Sequence, residues 1–174
     1  MPSEFELIRK YFDRPAGSAA LGVGDDAALL RPSAGMELAV STDLLLEGRH
    51  FRAGADARKL GHKALAVNLS DMAAMGAAPR WVTLALALPA LPAPDEAWLD
   101  EFTKGFFALA ARFGVELIGG DTTRSAAPGS GPGPIIICVT ILGEVPTGLV
   151  LAIRCTHRTS FIDVACDTQY DGLT

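Results

Sequence analysis

The chain has 174 residues, 49% of them hydrophobic and 20% charged. That is about one domain's worth of sequence with ample apolar surface to offset the entropy of ordering, which excludes long disorder. A formal net charge of −5 argues against a general affinity for nucleic acid, which needs a basic footprint, but clustered carboxylates in an acidic chain can hold metal, and metal can hold phosphate. In chain order, residues 4–12 carry apolar side chains at Phe5, Leu7, Ile8, Tyr11 and Phe12, the pattern of a short amphipathic helix with Ser3 as its N-cap. Residues 21–30 give a weak strand signal interrupted by Gly22-Val23-Gly24-Asp25-Asp26. A buried strand is expected over 37–46, running into Ser41-Thr42-Asp43. The first long helix follows over 56–75, with Leu60, Ala64, Val67 and Asp71 at helical spacing and Gly76 then Pro79 as its stop.

Residues 81–88 are apolar and partly β-branched, as suits a covered strand, and 89–94 form a stiff proline linker. The second long helix spans 95–113, with Trp98, Phe102, Phe106, Leu109 and Phe113 on its apolar face and Gly114 as C-cap. A short strand, 115–118, ends in a turn of sequence Gly119-Gly120-Asp121-Thr122-Thr123-Arg124. A turn-rich loop, 125–134, then leads into the strand 135–145. This order predicts an α+β domain, a small mixed or antiparallel sheet covered by two long helices. Beyond Gly148 the pattern changes: residues 149–174 show neither a helical nor a strand period, except around 160–165.

The first residues lack the basic and apolar regions of a signal peptide. The longest uncharged run, 125–143, is broken by Gly and Pro, so no membrane helix is expected. Cys138, Cys155 and Cys166 show no CxxC spacing, which points to a reduced, cytoplasmic setting.

Four clusters can carry chemistry: Gly24-Asp25-Asp26, Ser41-Thr42-Asp43, Asn68-Leu69-Ser70-Asp71 and Gly120-Asp121-Thr122-Thr123. Three fall where a predicted strand ends or turns, and Asp71 falls on the first long helix. Carboxylates at strand ends can converge on one sheet edge, and a packed helix can add another. Mg²⁺ takes octahedral oxygen ligands, usually a few carboxylates completed by water and phosphate oxygens. Neighbouring glycines allow close approach of the backbone to a polyphosphate. The competing reading for each cluster alone is turn chemistry, since Asp tolerates the left-handed region and bonds its own backbone. Asp71 lies in an otherwise apolar stretch, where an unpaired carboxylate is costly. The plain alternative there is a helix whose polar edge carries Asn68 and Asp71, three residues apart. His50, after Glu47-Gly48-Arg49, reads equally as a solvated loop residue. The aromatic helix reads as core. There is no GxxxxGK[ST], no GxGxxG and no nucleophile elbow.

Taken in order, these motifs resemble the thiamine-monophosphate kinase family. The resemblance rests on Phe5-Glu6-Leu7-Ile8, the stretch from Gly22 to Leu30, Ser41-Thr42-Asp43-Leu44-Leu45, Gly48-Arg49-His50-Phe51, the stretch from Lys63 to Ala77 (KALAVNLSDMAAMGA) and Leu117 to Arg124 (LIGGDTTR). It runs from the N-terminus to about Gly148. The family belongs to a superfamily shared with aminoimidazole ribonucleotide synthetase and selenophosphate synthetase. The resemblance implies ATP-dependent phosphorylation of thiamine monophosphate to thiamine diphosphate, by direct transfer without a phosphoenzyme. It implies Mg²⁺ ligands at Asp26, Ser41, Thr42, Asp43, Asp71 and Asp121, an ATP contact at Gly120 and Asp121, and a thiamine-monophosphate contact at His50. No residue is assigned as an acid or base. A homodimer is implied as well, with the two sheets joined into a barrel and ATP near the interface.

The resemblance also implies a second, C-terminal domain with a DxSDGL motif, for which this chain is too short. The family continues after its GEVP-like turn with an arginine-bearing segment that helps hold ATP. Here Pro146-Thr147-Gly148 is followed by Leu149 to Cys155 and the match is lost, so that role is not transferred to Arg154. The expectation is therefore a binding and dimerisation domain over 1–148, a non-matching tail over 149–174, and a truncated chain with reduced or no activity. The rival reading is a non-catalytic module that dimerises and binds Mg²⁺-nucleotide. An enzyme acting on a purine precursor or on selenide is disfavoured, because the selenide enzyme is expected to carry a reactive cysteine near its start and the first here is Cys138.

Overall fold

In the computed structural model, residues 6, 8–14, 17–19, 23, 26–89, 96–125 and 133–148 are described. After a π-helical turn, Ile8–Phe12, they form β1 (Met36–Leu46), α1 (Ala57–Ala74), β2 (Ala78–Leu88), α2 (Glu96–Phe113), β3 (Glu116–Arg124) and β4 (Ile136–Pro146). The strands make one sheet in the order β1-β4-β2-β3. β4 pairs antiparallel with both β1 and β2, while β2 and β3 are parallel and joined through α2. A mixed sheet with two helices is the architecture that the alternation of patterns predicts.

Side chains alternate between the two faces of a strand, and the register turns that into rows. Asp43, Val139, Leu84 and Gly120 share one row, and Leu44, Cys138, Ala85 and Asp121 share the next. One face is lined by Val82, Leu84, Leu86, Ile137, Val139 and Ile141, all buried in the core cluster with residues of α1 and α2. The opposite face is open along β1, where Val40 is 59% and Leu44 53% exposed.

α1 begins where the Asp56 carboxylate accepts the Lys59 N–H at 2.9 Å, an N-cap that satisfies one of the helix's free amides. Met75 caps its C-terminus, and Gly76 follows at φ 65°. The two helices cross at their backbones. A Cβ on Gly61 would stand 2.0 Å from the Phe102 carbonyl oxygen, and one on Gly105 would stand 1.9 Å from that of Arg58. Only two facing glycines let the helices come so close. The N-terminal turn is tied to α2 by a Lys10–Glu96 ion pair and by the Tyr11 hydroxyl, which donates to the Glu96 carbonyl at 3.2 Å.

Several expectations change. The N-terminal amphipathic segment is a π-helical turn over Ile8–Phe12, and Ser3 lies outside the described residues. Around 21–30 only isolated bridges form, at Val23 and Leu29. The GGDTTR segment is not a turn: β3 continues through it, because β2 is long enough to pair with it as far as Leu88–Arg124. Ser41-Thr42-Asp43 lies in the middle of β1 rather than at its end, since β4 pairs along its full length. On α2, Phe113 is exposed, with the Arg112 guanidinium 5.7 Å from its ring, while Leu99 and Ala110 are buried instead. Residues 149–174 lie outside the described residues.

Candidate functional site

Because Ser41 and Asp43 are two apart on β1, both point to the face that carries α1. Asp71, in the last turns of α1, meets them there. The Ser41 hydroxyl donates to Asp71 Oδ2 at 2.5 Å, a charge-assisted bond that fixes the carboxylate's orientation. Burial raises the Asp43 carboxyl above its ordinary range, and the nearby Asp71 charge raises it further. Two half-buried carboxylates that repel each other beside a hydroxyl are a hard, oxygen-only donor set. That fits a divalent cation such as Mg²⁺, whose charge would remove the repulsion.

The remaining candidates stand elsewhere. Thr42, one residue out of phase, lies on the open face, where its hydroxyl is 2.9 Å from that of Thr140. Asp121 is exposed on β3, in the open-face row and separated from β1 by two strands. Asp26 is exposed in the segment before β1, and Asp25 lies outside the described residues. Among the described residues no three His, Cys, Asp or Glu side chains gather into one metal-binding group. The structure thus brings Ser41, Asp43 and Asp71 together and leaves Thr42, Asp121 and Asp26 apart.

Gly120 has a structural reason of its own. A Cβ there would stand 1.9 Å from the Leu84 carbonyl oxygen, so the β2 backbone already requires glycine. Gly119 has nothing within 4 Å of a Cβ position and offers an open backbone beside Asp121. Asn68 is not on a solvated polar edge. It is fully buried, and its Nδ2 donates to the Ala64 carbonyl at 3.0 Å.

His50 sits in a tight turn after β1. Its N–H donates to the Leu46 carbonyl at 2.8 Å, and its Nδ1 accepts the Leu46 N–H at 2.9 Å. Partial burial lowers its pKa, and the Arg49 and Lys63 charges lower it further. It is a half-buried, anchored residue rather than a solvated one. Sequence reasoning missed three groups that shape this region: Lys63, Glu47 and Glu144. Lys63 Nζ donates to the His50 carbonyl at 2.6 Å, and Glu47 accepts the Ile135 N–H at 2.8 Å. The buried Glu144 accepts the Ser33 N–H at 2.6 Å and the Ser33 hydroxyl at 3.1 Å. An acid inside the apolar run from Ile135 to Val145 is the one sequence signal that could have found Glu144.

A four-stranded mixed sheet with two helices on one face and a carboxylate pair between β1 and α1 defines a class. The family "AIR synthase related protein, N-terminal domain" matches residues 24–145, more than half of the chain, and the chain belongs to that family. Within it, the chain is similar to thiamine-monophosphate kinases. It is 49% identical over 151 residues to the thiamine-monophosphate kinase of Escherichia coli (strain K12), covering 85% of this chain and 43% of that protein. The crystal structure of thiamine-monophosphate kinase from Stenotrophomonas maltophilia K279a is 46% identical with a TM-score of 0.66, covering 83% of this chain and 42% of that one. AaThiL complexed with AMPPCP and TMP is 28% identical with a TM-score of 0.58, covering 82% of this chain and 41% of that one. The chain therefore spans less than half the length of these relatives.

Proposed function

We propose that this chain carries the nucleotide- and Mg²⁺-binding part of an ATP-dependent thiamine-monophosphate kinase, which converts thiamine monophosphate to thiamine diphosphate. The carrying observation is the Ser41–Asp43–Asp71 cluster, which stands on the sequence segments that resemble the family. AaThiL, solved with AMPPCP and TMP, supports ligands of this chemistry. In this reading residues 1–148 form the binding and dimerisation domain, acting in the cytoplasm. The rest of the substrate pocket comes from the part of the relatives that this chain does not span.

Asp43 and Asp71 would hold Mg²⁺, with Ser41 orienting Asp71, and Thr42, Asp26 and Asp121 serving further ions or their waters. Bound Mg²⁺ supplies charge neutralisation between the nucleotide phosphates and an acceptor that is itself anionic. Direct phosphoryl transfer needs positioning and electrostatics more than acid–base chemistry, and no residue is assigned as an acid or base. Gly119 and Gly120 present backbone beside Asp121 for the nucleotide, and His50 contacts the acceptor. The open apolar row of β1 supports a homodimer in which two sheets join.

Incubating the chain with Mg²⁺, ATP and thiamine monophosphate and measuring thiamine diphosphate tests the reading. Product that is lost in Asp43→Ala is expected of a competent kinase site. Product unchanged in that variant would overturn the site assignment. Mg²⁺-ATP binding with no product would favour the non-catalytic module that dimerises and binds Mg²⁺-nucleotide.

A further inference from the structure

We infer that Lys63 is a positioning residue: by binding the His50 carbonyl it holds the 47–51 turn so that His50 keeps Nδ1 as an acceptor and its proton on Nε2. The inference deepens the proposed role of His50 and rests on that reading only for its functional meaning. The backbone of His50 is tied on both sides. Its N–H donates to the Leu46 carbonyl at 2.8 Å, and its C=O accepts from Lys63 Nζ at 2.6 Å. The turn is closed further by the Gly48 N–H to the Phe51 carbonyl at 2.8 Å and by Glu47, whose N–H donates to the Ile135 carbonyl at 3.0 Å.

Lys63 belongs to α1, which packs against β1, so it joins the turn to the layer that also carries Asp71. With both peptide groups held, the ring sits where Nδ1 accepts the Leu46 N–H at 2.9 Å. A ring nitrogen that accepts an N–H bond cannot carry a proton, so the neutral imidazole must be the Nε2–H tautomer. The cationic ammonium of Lys63 and the Arg49 guanidinium also disfavour a charged ring. Such a histidine offers a hydrogen-bond donor to a phosphate oxygen. It cannot take a proton at Nε2, which assigns it to holding the acceptor rather than to base catalysis.

Long-range ¹H–¹⁵N spectra of the full chain at pH 7.5 read the tautomer directly. The unaltered chain should show a well-separated pair of His50 ring nitrogens, with Nδ1 of the acceptor type; a proton on Nδ1 would overturn the inference without any variant. In Lys63→Met the separation should shrink, and the Leu46 amide should exchange with solvent about tenfold faster, as expected for one lost hydrogen bond. Lys63→Arg should restore both. An unchanged tautomer and unchanged Leu46 protection in folded Lys63→Met would overturn it. None of these readouts uses a ligand. A thiamine-monophosphate titration that leaves the His50 resonances unmoved would count against the substrate reading alone.

Discussion

At the scale of single residues, the site is built on an unfavourable contact. Asp43 and Asp71 share a half-buried space, and the Ser41 hydroxyl satisfies Asp71. The Asp43 carboxyl titrates above its unfolded value, so the native state holds that proton more tightly. Its ionisation then costs stability as pH rises through the raised pKa, and the cost is absent below the unfolded value. Thermal melts without divalent cation should therefore show Asp43→Asn to be as stable as the parent or more so above that pKa, with a flatter pH profile. Mg²⁺ should raise the melting temperature of the parent and leave that of Asp43→Asn unmoved. Ser41→Ala should cost about 1.5–3 kcal/mol, the range for a hydrogen bond to a charged group, measured by urea denaturation. The residue types of the cluster were legible in the sequence; their partition between faces was not. Ser41-Thr42-Asp43 reads as one motif, yet a strand's period of two sends Thr42 to the opposite side. The neighbours that anchor His50 were illegible because Lys63 and Leu46 hold it through backbone groups, which carry no residue signature.

At the scale of elements, the helix pair depends on its crossing. Gly61→Ala or Gly105→Ala would place a methyl within about 2 Å of a carbonyl oxygen. Either change should cost about 3 kcal/mol or more, because backbone cannot yield as a side-chain tip can, and urea unfolding would measure it. β4 has a second task. Its Glu144 holds the segment before β1 through Ser33, and the Ser33 amide keeps the Glu144 carboxyl below its ordinary range. A carboxyl so depressed contributes stability above the unfolded pKa and loses it as pH falls through the folded one. Protection of the Ser33 amide, taken relative to its intrinsic exchange rate at each pH, should accordingly fall in acid, and should be low at all pH in Glu144→Ala. Helices α1 and α2 were legible to within a residue or two at each end, since caps and apolar spacing mark them. Which aromatic residues of α2 face inward was less so, because Phe113 falls in the last turn, beyond the reach of the neighbouring layer. β3 was legible only in its first residues. Its glycines read as a turn, whereas the β2 backbone admits Gly120 as part of a strand.

At the scale of the whole molecule, the sheet has one covered face and one open one. The exposed row Leu38, Val40 and Leu44 lies on an edge strand of the described sheet, where unpaired backbone and apolar side chains invite a partner. If a second copy covers it, Val40→Glu should convert a dimer to a monomer in sedimentation velocity at equal concentration, while the circular dichroism spectrum stays that of the parent. The sequence pattern showed the apolar character of β1 but read it as burial, since hydropathy alone does not say whether a sheet face is covered by its own chain or by another. The acidic balance of the chain has a similar two-level meaning: among the described residues Asp26 and Asp121 are exposed, while Asp43 and Asp71 meet half-buried between β1 and α1. The central claim is that this pair holds Mg²⁺-nucleotide, and calorimetric titration of Mg²⁺-ATP into the chain tests it most directly. The account predicts saturable binding that requires Mg²⁺ and falls at least about tenfold in folded Asp71→Asn. Binding of equal strength in Asp71→Asn, or binding indifferent to Mg²⁺, would contradict it.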